Sequence, residues 1–335
     1  MAHSIDVVVP CYRYGHFLKE CVESVLSQGD VDARILIIDD ASPDDSAEVA
    51  SSLAHSDSRV LFRRHPVNMG HIATYNEGIE WASAEYFLLL SADDYLLPGS
   101  LGRSTRLLSG MPEVGFAFGA ATVLNEDGTS LPVHPLGRAP GFVQNSAMDG
   151  RSFFRLSGAK NIVPTPTAVV RTKLQKDIGG YRQDLPHSGD MEMWMRLAMR
   201  APVGFVDEYQ AVYRQHGSNM SLTYFGEYIL RDLEERRKAI ECLFECDPRM
   251  QREGDDIRSG LLRDLAAQAI NEASVAFNRR NPDLSNAIAR FAVELVPTSR
   301  LSLPWMKLAL KRAMGANTWL SVRSFVNHIA VRDNK

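Results

Sequence analysis

The sequence has little cysteine, little net charge and no long apolar run. Its four cysteines, Cys11, Cys21, Cys242 and Cys246, form no Cys-x-x-Cys motif and no Cys/His cluster. This spacing gives no reason to expect a disulfide framework or a thiolate metal site, and reduced thiols fit a cytoplasmic protein. The formal net charge of -4 over 335 residues gives no reason to expect a nucleic-acid partner.

Neither a signal peptide nor a transmembrane helix is expected from the sequence. The N-terminus leads directly into the strand-like run IDVVVP, without the basic region and apolar core of a signal peptide. No apolar run reaches the roughly 20 residues that a transmembrane helix needs. We therefore expect a cytoplasmic protein that contacts the inner face of a membrane at most peripherally.

The stretch from Arg300 to Lys335 is basic, with seven Lys or Arg residues against one acid, on an otherwise acidic chain. Trp305 and Trp319 interleave with these cations, a composition that can lie on an anionic membrane surface. Alternatively, the helices of this tail dock on the rest of the protein or form a homodimer contact. Pro304 interrupts any single long amphipathic face.

Short apolar runs alternate with helix-like segments in the first part of the chain. The runs that we interpret as strands are Ile5 to Pro10, Arg34 to Ile38, Val60 to Arg63 and Tyr86 to Leu90. This alternation predicts a doubly wound, mostly parallel α/β sheet. Ligands of such sheets bind at the carboxyl ends of the strands, where Pro10, Asp40 and Asp93–Asp94 fall.

The remaining chain predicts two further parts. Gly115 to Leu124 and Val163 to Arg171 are predicted strands, and the Gly/Pro-rich stretch from Leu131 to Gln144 is predicted to be a loop that could act as a lid. We expect a catalytic domain over residues 1–220, with halves of about 1–97 and 98–220. A mainly helical extension is predicted over residues 221–335.

Three acidic sites stand at the ends of predicted elements. Asp39–Asp40 closes the second strand, Asp93–Asp94 follows the fourth, and Asp190 begins a helix that reads DMEMWMRL. Adjacent carboxylates repel each other unless a cation lies between them or they share a proton, so Asp93–Asp94 suggests Mg²⁺ or Mn²⁺. The alternative is that such acids sit solvated in turns or cap helices, as an aspartate at the position of Asp190 commonly does.

Five blocks of the sequence resemble, in the same order, the blocks of family 2 inverting glycosyltransferases. The blocks are VVVPCYRYGHFLKECVESVLSQ, IIDDASPDDS, NMGHIATYNEGI, YFLLLSADDYLLPGSL and GDMEMWMRLA. The resemblance implies the GT-A fold, a Rossmann-like, mostly parallel sheet with helices on both faces. It also implies transfer of a sugar from a nucleotide-diphosphate donor to an acceptor hydroxyl group.

The resemblance assigns donor binding to residues in the first half of the domain. Asp40 would recognise the nucleotide base, and Pro10 and Tyr12 would line the base pocket. Gly70, beside Asn68, can let the backbone approach the donor closely, and the helix that follows presents free N–H groups to an anion. Taken alone, Asp40 is equally typical of a turn, and Gly70 of a helix entry.

The resemblance also assigns the metal and the catalytic base. Asp93 would reach the ribose or the metal, and Asp94 would coordinate Mn²⁺ or Mg²⁺ between the two phosphates. His216 would complete the metal or diphosphate site, or instead take a structural role. Asp190 would remove the proton from the attacking hydroxyl.

Several positions depart from the family pattern. Ser91 and Gly189 stand where the family commonly has acids, and Tyr75 stands where it often has arginine. We expect a metal-dependent inverting glycosyltransferase, with UDP favoured and a saccharide, lipid-linked or other hydroxyl acceptor. A non-catalytic nucleotide-sugar-binding scaffold is the alternative. A sugar nucleotidyltransferase fits less well, because Pro10-Cys11-Tyr12 replaces the Gly-rich loop of that class.

Overall fold

The computed structural model describes residues 2–135, 146–246, 251, 254–315 and 318–319, and it divides into two compact units. The first unit comprises Met1–Met220 and the second Ser221–Lys335. The first unit is a mixed α/β structure around one sheet, whereas the described part of the second unit is helical. Among the described residues, no helix combines the length and apolarity needed to span a bilayer.

The first unit is built on a ten-stranded sheet in the order β3-β2-β1-β4-β9-β6-β10-β5, with β7 and β8 paired to β6 and β10. The strands are β1 His3–Cys11, β2 Val31–Asp39, β3 Val60–Arg64, β4 Tyr86–Leu89, β5 Tyr95–Leu96, β6 Phe116–Asn125, β7 Ser130–Val133, β8 Ser146–Met148, β9 Val169–Arg171 and β10 Val203–Gln215. The helices are α1 Gly15–Leu26, α2 Ser46–Ser56, α3 His71–Trp81, α4 Ser100–Gly110, α5 Gly150–Ser157, α6 Thr172–Ile178 and α7 Gly189–Ala198.

The parallel half of the sheet positions the site. Strands β1 to β4 run parallel, and Cys11 pairs with Asp39 in the β1–β2 register. Val7 to Val9 and Ile35 to Ile38 are fully buried, because helices cover both faces of a parallel sheet. The carboxyl ends of β1, β2 and β4 therefore meet at one edge, directly before the acidic turns.

Two predicted segments differ from the structure. The strand predicted over Val163 to Arg171 forms only as β9, antiparallel to β4 and β6. A short 3-10 helix, Thr165–Thr167, takes its first part, since Pro164 and Pro166 cannot donate hydrogen bonds to a sheet. The loop predicted from Leu131 instead begins within β7, which pairs antiparallel with β6. Residues 136–144 of that loop lie outside the described residues, so its role as a lid stays a prediction.

The second unit packs around its longest described helix. Its helices are α8 Ile229–Cys246, α9 Asp255–Asn278, α10 Pro282–Leu295 and α11 Leu303–Met314. Helix α9 contacts the other three and buries Leu265 and Ile270. The Asn281 side chain caps α10 by accepting from Leu284 N, and Pro282 occupies the first helical position, where its missing N–H costs nothing.

Candidate active site

The turn after β4 carries two buried carboxylates. Asp93 and Asp94 are 5% and 2% exposed. Ala92 N donates to Pro10 O over 3.3 Å, and Asp94 N donates to Ser91 O over 3.0 Å. The first bond links the turn to the end of β1. The backbone therefore presents both acids at the sheet edge where ligands of this kind of fold bind.

Burial and mutual repulsion disfavour the charged forms of these acids. Burial, together with the neighbouring Asp93 charge, raises the pKa of Asp94 well above its ordinary value, although Arg214 opposes the shift. Burial also raises the pKa of Asp93, against the effect of His216. Asp93 Oδ2 lies 3.2 Å from His216 Nε2 and accepts from Asn219 Nδ2 over 3.4 Å. This arrangement would be stabilised by additional positive charge.

Arg214 holds the turn after β4 in place, but it does not neutralise the two carboxylates of that turn. Its backbone N donates to Asp94 Oδ1 over 2.9 Å, and its Nη1 donates to the carbonyl oxygen of Asp93 over 2.7 Å. The guanidinium group lies over the rings of Phe17 and Tyr95, at 4.8 and 4.7 Å from their centroids, and pairs with Glu20. Arg214 is therefore a positioning residue for the two acids.

The residues present fit a divalent cation held together with a phosphate-bearing ligand. Among the described residues, no group of three or more His, Cys, Asp and Glu side chains could hold a metal ion by itself. Mg²⁺ is commonly held by one or two carboxylates, substrate phosphates and water. Asp93 and Asp94 supply two oxygen-bearing groups of this kind, and His216 lies against Asp93.

Asp190 lies in the first turn of α7 and is held by two hydroxyl groups. Thr165 Oγ1 donates to Asp190 Oδ2 over 2.8 Å, and Tyr181 also hydrogen-bonds to the carboxylate. Burial raises the pKa of Asp190, although both hydrogen bonds oppose the shift. The N-cap of α7 is Ser188, so the alternative in which Asp190 caps the helix is wrong.

Tyr75 connects the two acidic sites. Its ring packs edge-on against Tyr181 and His71, with centroid separations of 5.3 and 5.4 Å. Burial raises the pKa of Tyr75, and the charges of Asp190, Asp93 and Asp94 raise it further. All three carboxylates therefore act on the phenol of this one half-buried residue. This grouping follows from tertiary packing, because the three acids come from two separate stretches of chain.

Asp40 anchors the loop that precedes α3. Its Oδ1 accepts from Met69 N over 2.7 Å, and its Oδ2 accepts from Gly70 N over 2.8 Å. Asn68 Oδ1 also accepts from Gly70 N, over 3.1 Å. Gly70 has φ 85°, a left-handed conformation that favours glycine. Asp40, Asn68 and Gly70 thus form one cluster, and the contact of Asp40 with a nucleotide base stays a prediction.

The remaining predicted donor residues lie at the end of β1. Tyr12 is 40% exposed, so its ring is accessible, and the Arg13 guanidinium carbon lies 5.7 Å from the ring centroid. Asp40 N donates to Cys11 O over 2.9 Å. Together with the bond from Ala92 to Pro10, this contact ties the Asp40 cluster, the end of β1 and the acidic turn to the same sheet edge.

Four residues position the site in ways that the sequence does not predict. They are Arg214, Thr165, Tyr181 and Tyr75. Arg214 stands in a Tyr-Arg-x-His segment, and this proximity to His216 is the signal that could have identified it. Thr165 and Tyr181 carry no such signal, because Thr165 contacts Asp190 from the 3-10 helix before β9 and Tyr181 from the loop between α6 and α7.

The chain resembles known glycosyltransferases over part of its length. Residues 6–136 match the family described as "Glycosyl transferase family 2". An uncharacterized Mycobacterium tuberculosis protein, MT1568, is 29% identical over 63% of this chain and 66% of its own length. Glycosyltransferase GlyG of Streptococcus pneumoniae is 36% identical over 28% of this chain and 31% of its own. The chain thus spans between about a third and just under two thirds of these curated relatives.

Solved structures extend the likeness to most of the chain. TarS 1-349 of Staphylococcus aureus in complex with UDP-GlcNAc aligns with a TM-score of 0.57 at 14% identity, covering 89% of this chain and 92% of that one. Mannosyltransferase PcManGT of Pyrobaculum calidifontis, in complex with GDP-Man and Mn²⁺, aligns with a TM-score of 0.55 at 14% identity, covering 99% and 87%. At this identity the likeness concerns the fold.

Proposed function

The chain contains a family 2 glycosyltransferase domain of the GT-A fold, and from this premise we propose that it transfers a sugar from a nucleotide diphosphate to an acceptor hydroxyl with inversion. UDP is the favoured nucleotide. The observation that carries the proposal is the position of Tyr75: its ring packs against Tyr181, which hydrogen-bonds to Asp190, and its hydroxyl group hydrogen-bonds to Ser91, just before Asp93 and Asp94. Two acids can bind a cation there, while the third can accept a proton.

The donor binds at the end of β1 and β2 in this proposal. Tyr12 offers an accessible ring for the nucleotide base, with Pro10 and Asp40 beside it. Asp40 fixes the backbone at Met69 and Gly70, where the N-terminus of α3 favours a negatively charged group. Asn68 completes this donor-binding cluster, and Asp93 reaches the ribose or the metal.

Asp94 and His216 would hold Mn²⁺ or Mg²⁺ together with the donor diphosphate. Two buried carboxylates whose pKa values are raised by burial support this assignment, because a cation relieves the cost of ionising both. When bound, the ion supplies positive charge for the leaving nucleotide diphosphate. Arg214 keeps Asp94 oriented through its backbone N–H.

Asp190 is the general base. An inverting displacement forms the new glycosidic bond as the nucleotide diphosphate departs, so the acceptor hydroxyl must lose its proton to a nearby group. Burial raises the pKa of Asp190, which brings its affinity for a proton closer to that required of a base at neutral pH. Thr165 and Tyr181 donate hydrogen bonds that fix the carboxylate.

The acceptor is a saccharide, lipid-linked or other hydroxyl compound, as in the synthesis of cell-surface polysaccharides and glycoconjugates. We propose a cytoplasmic enzyme that meets such acceptors at the inner face of a membrane, with the basic C-terminal tail as a peripheral contact. A homodimer is a second way in which that tail could be used. Ser91 and Gly189, which depart from the family pattern, favour a non-catalytic nucleotide-sugar-binding scaffold as the alternative function.

Calorimetric titration tests the proposal. The purified chain is titrated with UDP, GDP and dTDP, each with and without Mn²⁺, and the best ligand is repeated with Asp94→Ala. The matched control is Asp177→Ala, which removes an aspartate that is 58% exposed and paired with Lys173. We expect metal-dependent binding of one nucleotide that is lost in Asp94→Ala and kept in Asp177→Ala. Folded protein that binds none of the three would overturn the transferase and leave the scaffold.

A further inference from the structure

Helix α11 and the short 3-10 helix before it, Pro297–Leu301, expose large apolar side chains. The α11 ridge consists of Leu301, Leu303, Met306 and Leu310, which are 81%, 68%, 50% and 59% exposed. Leu303, Met306 and Leu310 have i, i+3 and i+7 spacing, so they share one face of the helix. Three side chains of this size on a single face, with Leu301 exposed just before them, indicate an interaction surface.

Two of the three basic side chains of the same helix, Lys311 and Arg312, point inward. Lys311 Nζ donates to Ser274 Oγ of α9. Arg312 Nη2 donates to Ser285 O and Oγ of α10, over 2.8 and 2.9 Å. Burial lowers the pKa of Arg312. A helix in water normally shows the opposite arrangement, with cations outward and leucines inward. Among the leucines of α11, Leu308 alone is buried, so the ridge is not used to build the core.

Positive charge surrounds the ridge. Arg300 and Lys307 are exposed beside it, and the sequence from Pro297 to Met314 contains no acidic residue. Apolar side chains flanked by cations match the chemistry of a bilayer that contains anionic lipids, in which the former enter the headgroup boundary and the latter meet lipid phosphates.

The small area of the ridge favours a bilayer over a second protein as its partner. Four apolar side chains offer on the order of a few hundred Å², whereas a stable protein interface covers about 800 Å² on each partner. A bilayer needs no such minimum, because reversible surface binding grows with each apolar group that is buried.

We propose that the α11 ridge inserts into the headgroup region of an anionic bilayer and holds the enzyme reversibly at that surface. The proposal rests on the proposed function, since it assigns to this one helical face the membrane contact proposed for the C-terminal tail, where an enzyme would meet a lipid-linked acceptor in two dimensions. The binding itself requires neither the donor site nor catalysis. It depends on a defined helical face within the described residues.

Vesicle co-sedimentation of the full chain tests the proposal. One vesicle preparation contains phosphatidylcholine and phosphatidylglycerol in equal parts, and the other contains phosphatidylcholine alone. The ridge variant is Leu303→Gln/Met306→Gln/Leu310→Gln. The matched control is Leu61→Gln, which changes a leucine in β3 that is 44% exposed. A separate variant, Lys307→Ala, tests the charge.

We expect binding to the anionic vesicles and at least about tenfold weaker partitioning of the ridge variant, because three apolar side chains no longer enter the bilayer. Lys307→Ala should weaken partitioning about fivefold, since one cation near an anionic surface contributes about 1 kcal/mol. Leu61→Gln should bind as the unaltered chain does.

Three results would overturn the proposal. They are absence of binding by the unaltered chain, equal binding by the ridge variant, and a concentration-dependent dimer in sedimentation velocity that the ridge variant abolishes. The last result would assign the ridge to a second copy of the chain. The nucleotide titration is repeated on the ridge variant, in which we expect unchanged affinity. Failure of vesicle binding is thereby separated from failure of the donor site.

Discussion

His65 contacts two carboxylates at once, and this contact predicts a pH-dependent contribution to stability. Nδ1 lies 2.7 Å from Asp40 Oδ1, and Nε2 lies 2.9 Å from Glu77 Oε2. A neutral imidazole carries one N–H, so only the imidazolium ion can donate to both acids. Burial opposes the charge, but the hydrogen bonds to Asp40 and Glu77 outweigh it and raise the pKa of His65 above 6.5. Arg63 pairs with the other Glu77 oxygen, over 3.1 Å.

The direction of the effect follows from these pKa shifts. A raised pKa means that His65 contributes its full stability below its unfolded value near 6.5, and that this contribution is lost as the pH rises through the folded value. For Glu77, burial opposes ionisation, but His65 and Arg63 outweigh it and lower the pKa. The Glu77 contribution is therefore lost only at acidic pH, as the pH falls through its lowered folded value.

The size of the expected stability loss in His65→Ala follows from the number of hydrogen bonds that His65 makes. Removing one member of a buried pair costs about 3–5 kcal/mol, so His65→Ala should lower the free energy of unfolding by this amount in mild acid. Above the folded pKa of His65, the imidazole of the unaltered protein keeps only one N–H donor. The difference in unfolding free energy between the unaltered chain and His65→Ala should then shrink by about 1.5–3 kcal/mol, the contribution of one charged hydrogen bond. For a domain of this size, a difference of 3–5 kcal/mol corresponds to roughly 6–20 °C in Tm.

Thermal unfolding between about pH 5.5 and 9 measures this difference. His55→Ala is the control, because His55 is exposed on α2 and its Nδ1 contacts only the carbonyl of Ser51 among the bonds described. We expect the difference between the unaltered chain and His65→Ala to fall with rising pH, and the His55→Ala difference to stay flat. A His65→Ala difference that is constant or grows with pH would refute the reasoning.

Two further substitutions test the site and the packing. Asp190→Asn should lower kcat by at least about 100-fold, because a general base accelerates a reaction about 10²- to 10⁴-fold, while nucleotide affinity should stay within about twofold. Donor consumption measures kcat, and calorimetry measures the affinity. An unchanged kcat would show that Asp190 is not the base. Gly78→Ala should cost about 1–3 kcal/mol, because the new Cβ would lie 2.4 Å from Val8 Cγ1. Gly110→Ala, with nothing within 4 Å, should leave Tm unchanged or raise it, and equal effects of both alanines would contradict the packing argument.

The parallel half of the sheet could be predicted because burial imposes the same pattern on every strand. Val7 to Val9 and Ile35 to Ile38 are apolar on both faces, which a strand between two helical layers requires. The order of the acidic turns along the chain then follows from the alternation of strands and helices. Local sequence is thus sufficient to predict a strand or helix wherever the local pattern and the tertiary environment agree.

The sequence does not predict strand β10, because the apolar pattern of this strand is interrupted. Its residues are buried from Val203 to Val206 and from Gln210 to Val212, but Asp207 to Tyr209 between them are not. The pairing with β6 shifts register on both sides of Tyr209. A bulge of this kind breaks the alternation from which a strand is recognised. The same strand carries Arg214 toward Asp94, so the missed element is also one that positions the site.

The role of Asp40 could not be predicted from the sequence, because an aspartate at a strand end has the same local pattern whether it faces a ligand or a loop. Its partners, Met69 and Gly70, are 29 and 30 residues away. The bonds to their backbone N–H groups need β2, β3 and the entry of α3 to be in place together. If Asp40 also contacts the base, the donor pocket and the α3 loop share one carboxylate. A substitution at Asp40 would then change donor affinity and loop stability together, whereas Asp94→Ala would change metal-dependent binding without releasing Met69 or Gly70.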